Sequence, residues 1–181
     1  DPDLLRKVAG QPQVKMIEIK FSQGAKPGKG GLLPKEKITA EIAELRKVPM
    51  GDDVVSPPFH CECTDLPATV RFIAHIQSLV PIPVGCKLCV GSFDEVRELV
   101  EEMKRQDTFP DWITVDGGEG GTGAAPRAFI DRVGMPLFPA LHGLHQILVE
   151  AGVRERLKLF AAGKLIDAGR QCIAFALGAD A

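Results

Sequence analysis

Apolar residues in this chain fall into five short runs, and longer stretches with helical spacing separate them. None of the runs alternates regularly with polar residues, which favours strands buried on both faces of a parallel sheet. The runs predict β-strands over residues 16–21, 54–57, 83–89, 112–116 and 157–161. Such strands need helices on both sides of the sheet, so the stretches between them decide the fold class.

Those stretches carry apolar residues three or four positions apart and mostly begin at a residue that can cap a helix. Val70, Ile73 and Ile76 form such a stripe after Asp65, and Ser92 opens a capping-box pattern. The predicted helices cover residues 40–47, 66–79, 93–105, 136–150 and 168–177. Strands that alternate with helices imply parallel strands joined by crossover connections.

The predicted strands in the middle of the chain begin about 30 residues apart, which is the length of one βα unit. About five such units predict an α/β fold, a (β/α)8 TIM barrel that is incomplete in this chain, because a full barrel takes about 250 residues. We interpret residues 1–181 as one domain, the central segment of a larger barrel, and the opening on Asp1 rather than Met agrees with this. A small, open, doubly wound sheet is the alternative.

Net charge, the length of the apolar runs and the cysteine content exclude several classes of protein. The net charge of −2 argues against a general nucleic-acid binder. We also expect no contact with a membrane, since no apolar run approaches the roughly 20 residues that span a bilayer. Five scattered cysteines indicate reduced thiols and therefore a cytoplasmic protein. Their spacing does not match a zinc site, so we predict no metal ion, and Cys86 and Cys89, which lie in an apolar run, are interpreted as small buried thiols.

The densest cluster of glycines follows the predicted strand at 112–116. Glycine is costly to fix, so a cluster at a strand end indicates positive φ angles or a close approach of the backbone to a ligand. We predict that an anion or a flat cofactor uses this strand end, and a flexible surface turn is the alternative. The cluster consists of the acid Asp116 followed by Gly117, Gly118, Gly120, Gly121 and Gly123.

Lysines mark other strands and strand ends. Residues 22–31 contain four glycines and two lysines, and this loop either presents amides, Gln23 and a lysine to an anionic substrate or is a solvated basic loop. Lys87 interrupts an apolar strand, and Lys20 does so with Glu18 on the same face. Each lysine either faces an anion inside the barrel or reaches solvent at an edge. A phosphate would suit the glycine and positive charge after the last strand, at Gly163, Lys164 and Gly169.

Taken together, these loops resemble the FMN-binding synthase domain of the glutamate synthase family. The most specific parts are the Gln-Gly-Ala-Lys-Pro-Gly and Gly-Gly-Thr-Gly-Ala loops, and the resemblance extends over nearly the whole chain from about residue 14. The loop at 59–63 looks closer to compact, stand-alone bacterial or archaeal relatives. The resemblance rests on residues 18–20, 22–28, 30–31, 33–34, 56–58, 87–88, 116–118, 123–126, 134–136, 163–164, 169–170 and 176–179.

The resemblance implies a cytoplasmic oxidoreductase of nitrogen metabolism and glutamate biosynthesis. Such a domain reduces 2-iminoglutarate, made from 2-oxoglutarate and ammonia, to L-glutamate with a hydride from reduced FMN. In the family the ammonia comes from glutamine hydrolysed in an amidotransferase domain. Electrons arrive from ferredoxin or a nicotinamide-dependent subunit through an iron–sulfur cluster.

The resemblance also implies roles for individual residues. Lys87 matches the strand lysine near the flavin ring, where a cation stabilises the anionic reduced flavin, and we predict it as catalytic. The cofactor-binding residues would be Lys87 with Asp116, Gly117, Gly118, Gly120, Gly121, Gly163, Lys164 and Gly169. The residues that hold 2-oxoglutarate would be Lys20, Gln23, Lys37 and Ser56.

The chain departs from the family pattern in two ways. It shows no amidotransferase domain, and its cysteines do not match the iron–sulfur ligands, which would lie outside these residues. The electron donor, the ammonia source and assembly into a homo-oligomer therefore stay open. Two alternatives are another FMN-dependent barrel oxidoreductase, such as a 2-hydroxy-acid oxidase, and a non-catalytic fragment of such a barrel.

Overall fold

The computed structural model describes residues 1–119 and 121–181. Its strands are β1 (Ile17–Lys20), β2 (Leu32–Leu33), β3 (Val54–Val55), β4 (Val84–Leu88), β5 (Trp112–Asp116) and β6 (Lys158–Ala162). Its helices are α1 (Pro2–Ala9), α2 (Ala40–Arg46), α3 (Leu66–Leu79), α4 (Phe93–Arg105), α5 (Leu137–Glu150) and α6 (Ala168–Ala176). Two short 3-10 helices cover Lys35–Lys37 and Arg154–Arg156.

Four strands form the main sheet in the order β1-β4-β5-β6, and every neighbouring pair is parallel. Helices alternate with these strands, so the predicted α/β fold with parallel strands is confirmed. Strands β1, β4, β5 and β6 lie beside one another in chain order, as the strands of a (β/α)8 barrel do. The chain therefore contributes four consecutive parallel strands to an incomplete barrel.

The predicted strand at 54–57 is wrong as a member of this sheet. Val54–Val55 instead pairs antiparallel with Leu32–Leu33 in a separate ribbon of two strands. Val55 is exposed, and Pro57 and Pro58 follow, which lack the N–H groups that a central strand needs. The apolar run was thus too short and too close to proline to enter the sheet, and the predicted five βα units become four.

Capping side chains set most of the helix starts. Asp65 Oδ1 accepts a hydrogen bond from the Ala68 N–H at 2.7 Å, Thr39 Oγ1 one from Ile42, and Ser92 Oγ one from Asp94. The predicted helices at 66–79 and 93–105 are confirmed to the residue, and the other three differ by one residue at one end. Helix α1 was not predicted, although Asp1 caps it.

The two faces of the main sheet differ in polarity. Because successive residues of a strand point to opposite faces, Ile19, Cys86 and Ile113 share one face, and each is at most 7% exposed. This face belongs to the hydrophobic core together with α3, α4 and α5. The other face carries Glu18, Lys20, Lys87, Trp112 and Thr114. The strands thus have one apolar and one polar face, which the sequence analysis did not anticipate.

Among the described residues, no helix is both long and apolar enough to cross a membrane.

Arg154 ties the start of β6 to the segment after α6. Its guanidinium donates hydrogen bonds to His145 Nδ1 at 3.0 Å, to the Gly178 carbonyl at 2.9 Å and to Asp180 Oδ2 at 2.8 Å. Asp180 Oδ2 also accepts the Leu159 N–H at 2.8 Å. Burial raises the pKa of Asp180. The hydrogen bond from the Leu159 N–H and the contact with Arg154 together lower it by more than burial raises it, so the pKa of Asp180 lies below its usual value.

Protonation of His145 should weaken this network. Burial, followed by the charges of Arg154 and His142, lowers the pKa of His145 from 6.5, so the folded chain binds fewer protons than the unfolded chain. We expect the free energy of unfolding to fall as the pH drops below 6.5, measured by urea denaturation at several pH values. His145→Asn should flatten this dependence, whereas the exposed His75→Gln should leave it unchanged. Equal slopes in all three proteins would contradict the assignment to His145.

Candidate functional site

Two lysines lie side by side at the carboxyl end of the polar face. Lys20 of β1 and Lys87 of β4 are register partners, and Thr114 of β5 is the next partner along. The Lys20 ammonium donates to Gln23 Oε1 at 3.2 Å. The Lys87 ammonium lies 3.8 Å from Asp116 Oδ2, an ion pair too long for a hydrogen bond. Positive charge is therefore concentrated where β1 and β4 end.

The Asp116 carboxylate connects three strand ends. Its Oδ2 atom accepts the Gly24 N–H at 2.9 Å while it faces Lys87, so the loop after β1 is held against the end of β5. The backbones are so close that a Cβ atom on Gly24 would lie 1.8 Å from the Gly117 carbonyl oxygen. The structure therefore brings the loop that carries Gln23 together with Lys87 and Gly117.

Packing between loops explains why Gly117 and Gly118 are glycine. A Cβ atom on Gly117 would lie 2.4 Å from Glu119 Oε2, and one on Gly118 would lie 2.2 Å from the Gly134 carbonyl oxygen. Protein atoms thus occupy the space that a side chain would need. Contact of these two glycines with a cofactor stays a prediction.

The backbone conformation of a further glycine in this cluster, Gly121, explains its presence. Gly121 has a φ of 67°, in the left-handed region that favours glycine. The predicted contact at Gly120 lies outside the described residues.

The loop after β6 also reaches this end of the sheet. Gly163 has a φ of 143°, and a Cβ atom on it would be 3.4 Å from Gly117. Lys164 has a φ of 45°, and its ammonium lies 3.9 Å from Asp131 Oδ1. Gly169 lies in the first turn of α6. Gly163 therefore adjoins the glycine cluster, and the phosphate predicted for these three residues stays a prediction.

A cavity of about 440 Å³ opens between the loop after β1 and the segment after β3. Small-molecule sites usually measure about 300–1,000 Å³. Three lysines and one glutamate line this cavity, so its charged lining is net positive: Lys20, Lys26, Lys29 and Glu62. Of the predicted substrate-binding residues, Lys20, Gln23 and Ser56 lie in the lining. Lys37 lies in an exposed 3-10 helix and does not line the cavity.

Lys26 is a site residue that the sequence analysis missed. It is only 9% exposed, yet within the described residues its ammonium makes no hydrogen bond or ion pair. Its ammonium nitrogen is not among the buried unpartnered atoms of the described residues, so it stays accessible from the cavity while the rest of the side chain is packed. Since Lys26 lines the cavity, an anion placed there would supply the missing partner. Sequence alone gave no sign that this one lysine of the loop would be buried.

His60 fixes the far wall of the cavity. Its Nε2 atom lies 3.1 Å from the Lys20 carbonyl oxygen, and its ring contacts Phe21 and Phe72 with centroids 6.0 and 5.5 Å away. A hydrogen bond from the neighbouring Cys61 to Glu62 raises the pKa of that thiol. The contacts of His60 with Phe21, Phe72 and the Lys20 carbonyl thus hold this wall in place. Cys61 stays a protonated thiol near neutral pH.

The polar face below the lysines forms a second hydrogen-bonded group. Glu18 Oε2 accepts hydrogen bonds from Trp112 Nε1 at 3.2 Å and from Thr114 Oγ1. The indole stacks on Phe160 with centroids 5.4 Å apart and covers Gly85, where a Cβ atom would lie 2.1 Å from the ring. This hydrogen-bonded group lies next to the two lysines on the same face of the sheet.

Burial raises the pKa of two further thiols. Burial, followed by the charge of Glu18, raises the pKa of Cys86 to about 12. Burial, followed by the charge of Asp116, also raises the pKa of Cys89. Cys86 is the small buried thiol that the sequence predicts, whereas Cys89, directly after β4, is only half-buried. Among the described residues, no group of three or more metal-binding side chains was found.

Comparison with known proteins identifies relatives of nearly the whole chain. A family model described as the conserved region in glutamate synthase matches residues 11–181. A glutamate synthase large subunit-like protein of Bacillus subtilis is 39% identical over 93% of this chain and 32% of its own length. An archaeal glutamate synthase [NADPH] of Methanocaldococcus jannaschii is 35% identical over 91% of this chain and 32% of its own length. The chain spans about a third of the length of these relatives.

A longer relative and a solved structure extend the comparison. A ferredoxin-dependent glutamate synthase of Cyanidium caldarium is 35% identical over 92% of this chain and 10% of its own length. A mutant flavocytochrome b2 with pyruvate bound superimposes with a TM-score of 0.55 at 16% identity, over 98% of this chain and 37% of that one. The superposition agrees with the barrel fold.

Substitutions at Asp116 should separate its hydrogen bond from its charge. Asp116→Asn keeps an oxygen for the Gly24 N–H and removes only the charge that faces Lys87, so we expect a loss below about 1 kcal/mol. Asp116→Ala leaves a part-buried N–H without an acceptor and should cost about 1–3 kcal/mol. Urea denaturation measures both, and the exposed Asp52→Ala is the control. If Asn is as costly as Ala, the charge rather than the hydrogen bond holds the loops together.

Proposed function

The chain belongs to the family defined by the conserved region in glutamate synthase, and on that premise we propose that the full-length protein is an FMN-dependent glutamate synthase. In this reaction 2-oxoglutarate and ammonia condense to 2-iminoglutarate with loss of water. Two electrons and two protons then reduce the imine to L-glutamate. The observation that carries the proposal is the cationic cavity lined by Lys20, the register partner of Lys87 at the carboxyl end of the sheet.

The cavity suits a small dicarboxylate. Lys20 and Lys26 both line the cavity, and the Lys26 ammonium has no partner within the described residues, so two ammonium groups are available to two carboxylates. Charge-assisted hydrogen bonds of this kind are about twice as strong as neutral ones. We propose that Gln23 and Ser56 orient the diacid through their side chains. For Lys37 we retain the predicted contact with 2-oxoglutarate as a proposal, although it lies outside the cavity lining.

The polar face suits a flavin. Within the described residues the Lys87 ammonium makes no hydrogen bond, so its N–H groups are free to approach an anionic ring. A bound reduced FMN supplies the hydride that converts the imine into L-glutamate. Lys87 would stabilise negative charge on the ring, because a fixed cation in a water-poor site lowers the energy of a nearby anion. Asp116 would hold this lysine in place.

Several cofactor contacts are proposals from the family match. The FMN phosphate would lie near Gly163, Lys164 and Gly169, and the ring near Gly117 and Gly118. An iron–sulfur cluster with ligands outside these residues would pass on electrons from ferredoxin or from a nicotinamide-dependent partner. Ammonia would reach the cavity from solution or from another domain.

The full-length protein should contain FMN and use 2-oxoglutarate with ammonia as its electron acceptor. We expect anaerobically reduced protein to be reoxidised when both compounds are added together, followed by the return of flavin absorbance and by the L-glutamate formed. Neither compound alone should suffice. Reoxidation by pyruvate instead would favour a 2-hydroxy-acid oxidase. A full-length protein that neither contains nor takes up flavin would contradict the proposal.

Lys26 should favour ligand binding with little effect on stability. Because the Lys26 ammonium is accessible from the cavity and has no partner within the described residues, we expect Lys26→Met to leave the free energy of unfolding of the ligand-free protein within about 0.5 kcal/mol of wild type. The same change should raise the KM for 2-oxoglutarate at least about tenfold, which is ~1.4 kcal/mol. The exposed Lys35→Met, outside the cavity, is the matched control and should change neither. A Lys26→Met protein with normal KM would exclude this lysine from the site.

A further inference from the structure

Glu119 attaches the segment that begins at Gly117 after β5, here called the glycine-rich loop, to helix α5. Its Oε2 atom accepts the Leu137 N–H at 2.8 Å. Leu137 is the first residue of α5, and the residue before it, Pro136, offers no capping side chain. A carboxylate at this position satisfies an otherwise unpaired amide and is favoured by the helix dipole. Glu119 therefore caps a helix that begins 18 residues further along the chain.

Helix α5 is a rigid attachment point. Six of its residues are buried, among them Leu141, Leu144 and Leu148, each at most 1% exposed. The side chain of Glu119 is itself only 17% exposed. A loop held by such a helix takes its position from the core rather than from solvent.

Arg170 places a positive charge beside Glu119. Its Nη2 atom lies 4.0 Å from Glu119 Oε1, and its guanidinium carbon lies 5.0 Å from the centre of the Phe138 ring. Its Nε atom is buried and has no hydrogen-bond partner among the described residues. Arg170 comes from α6, so this charge links the loop after β5 to the helix that follows β6.

Among the described residues Gly117–Glu119, the loop is attached by two backbone hydrogen bonds and by the Glu119 side chain, and only the side chain can be removed by substitution. The Gly117 N–H donates to the Ala162 carbonyl and the Gly118 N–H to the Met135 carbonyl, both at 2.8 Å. Those two are backbone contacts that side-chain substitution leaves in place. Asp116, directly before the loop, holds Gly24 and faces Lys87. Asp116 therefore lies between the loop that Glu119 attaches to α5 and the loop that lines the cavity.

We propose that Glu119 is a positioning residue and that Arg170 is its charge partner. Together they hold the glycine-rich loop where Asp116 reaches both Gly24 and Lys87. The predicted effect on 2-oxoglutarate rests on the proposed function, whereas the effect on the loops does not. The role requires contact with neither substrate nor cofactor.

The test uses Glu119→Ala and Glu119→Gln in the full-length protein. Glutamine keeps an acceptor for the Leu137 N–H and loses only the charge, while alanine loses both. For alanine we expect faster hydrogen exchange in residues 22–31 and 117–119, a shifted flavin absorbance spectrum and a KM for 2-oxoglutarate raised about tenfold. Glu119→Gln should show the same changes with a smaller magnitude. Glu98→Ala is the control, because Glu98 is exposed on α4 and lies away from the loop.

Each outcome decides the proposal. Glu119→Ala could lower the melting temperature and yet keep wild-type hydrogen exchange in residues 22–31 and a wild-type KM for 2-oxoglutarate. That result would leave Glu119 with only a structural role as a helix cap and would overturn the proposal. Arg170→Met should add nothing in the Glu119→Gln background, and independent, additive effects would remove Arg170 as the partner. If alanine yields no folded protein, the glutamine variant and Arg170→Met carry the same readouts. If wild-type protein does not turn over 2-oxoglutarate, the proposed function fails and hydrogen exchange alone still decides the positioning role.

Discussion

The arrangement of the strand ends depends on one carboxylate. Asp116 accepts the Gly24 N–H and faces the Lys87 ammonium, so a single side chain connects the loops after β1 and β5 and the lysine of β4. Neither contact is strong alone, since a partly exposed ion pair contributes little and one hydrogen bond about 1 kcal/mol. Their value is geometric, because they hold backbone against backbone where Gly24 and Gly117 leave no room for a side chain.

Local signals predicted most of the fold. The helices after Asp65 and Ser92 could be placed because capping residues and apolar spacing act within one or two turns. The short run at 54–57 was misplaced because its partner, Leu32–Leu33, is distant in sequence and itself only two residues long. Strand pairing of this kind is decided by tertiary contacts that a local pattern does not contain.

The candidate site was less accessible to sequence reasoning. Gln23 and Lys87 could be found because glycine clusters and a lysine inside an apolar strand are unusual in themselves. Lys26 could not be separated from Lys29, because burial depends on how the loop folds over the cavity. Contact of Gly117 and Gly118 with a cofactor stays a prediction, and the structure adds a second reason for glycine there, because neighbouring atoms take the volume that side chains would occupy. That packing is a tertiary feature that the glycine pattern alone does not contain.

The ribbon of β2 and β3 gives the chain a place that can change length during evolution. Gly31 and Ser56 are joined by a 2.8 Å backbone hydrogen bond, and the segment 34–53 leaves and returns at that point. Helix α2, within this excursion, has no buried residue. Loop-closure cost grows only slowly with length, so insertions or grafted modules between 34 and 53 would leave both walls of the cavity in register. Lineages of this family could acquire new appendages at this junction without rebuilding the barrel.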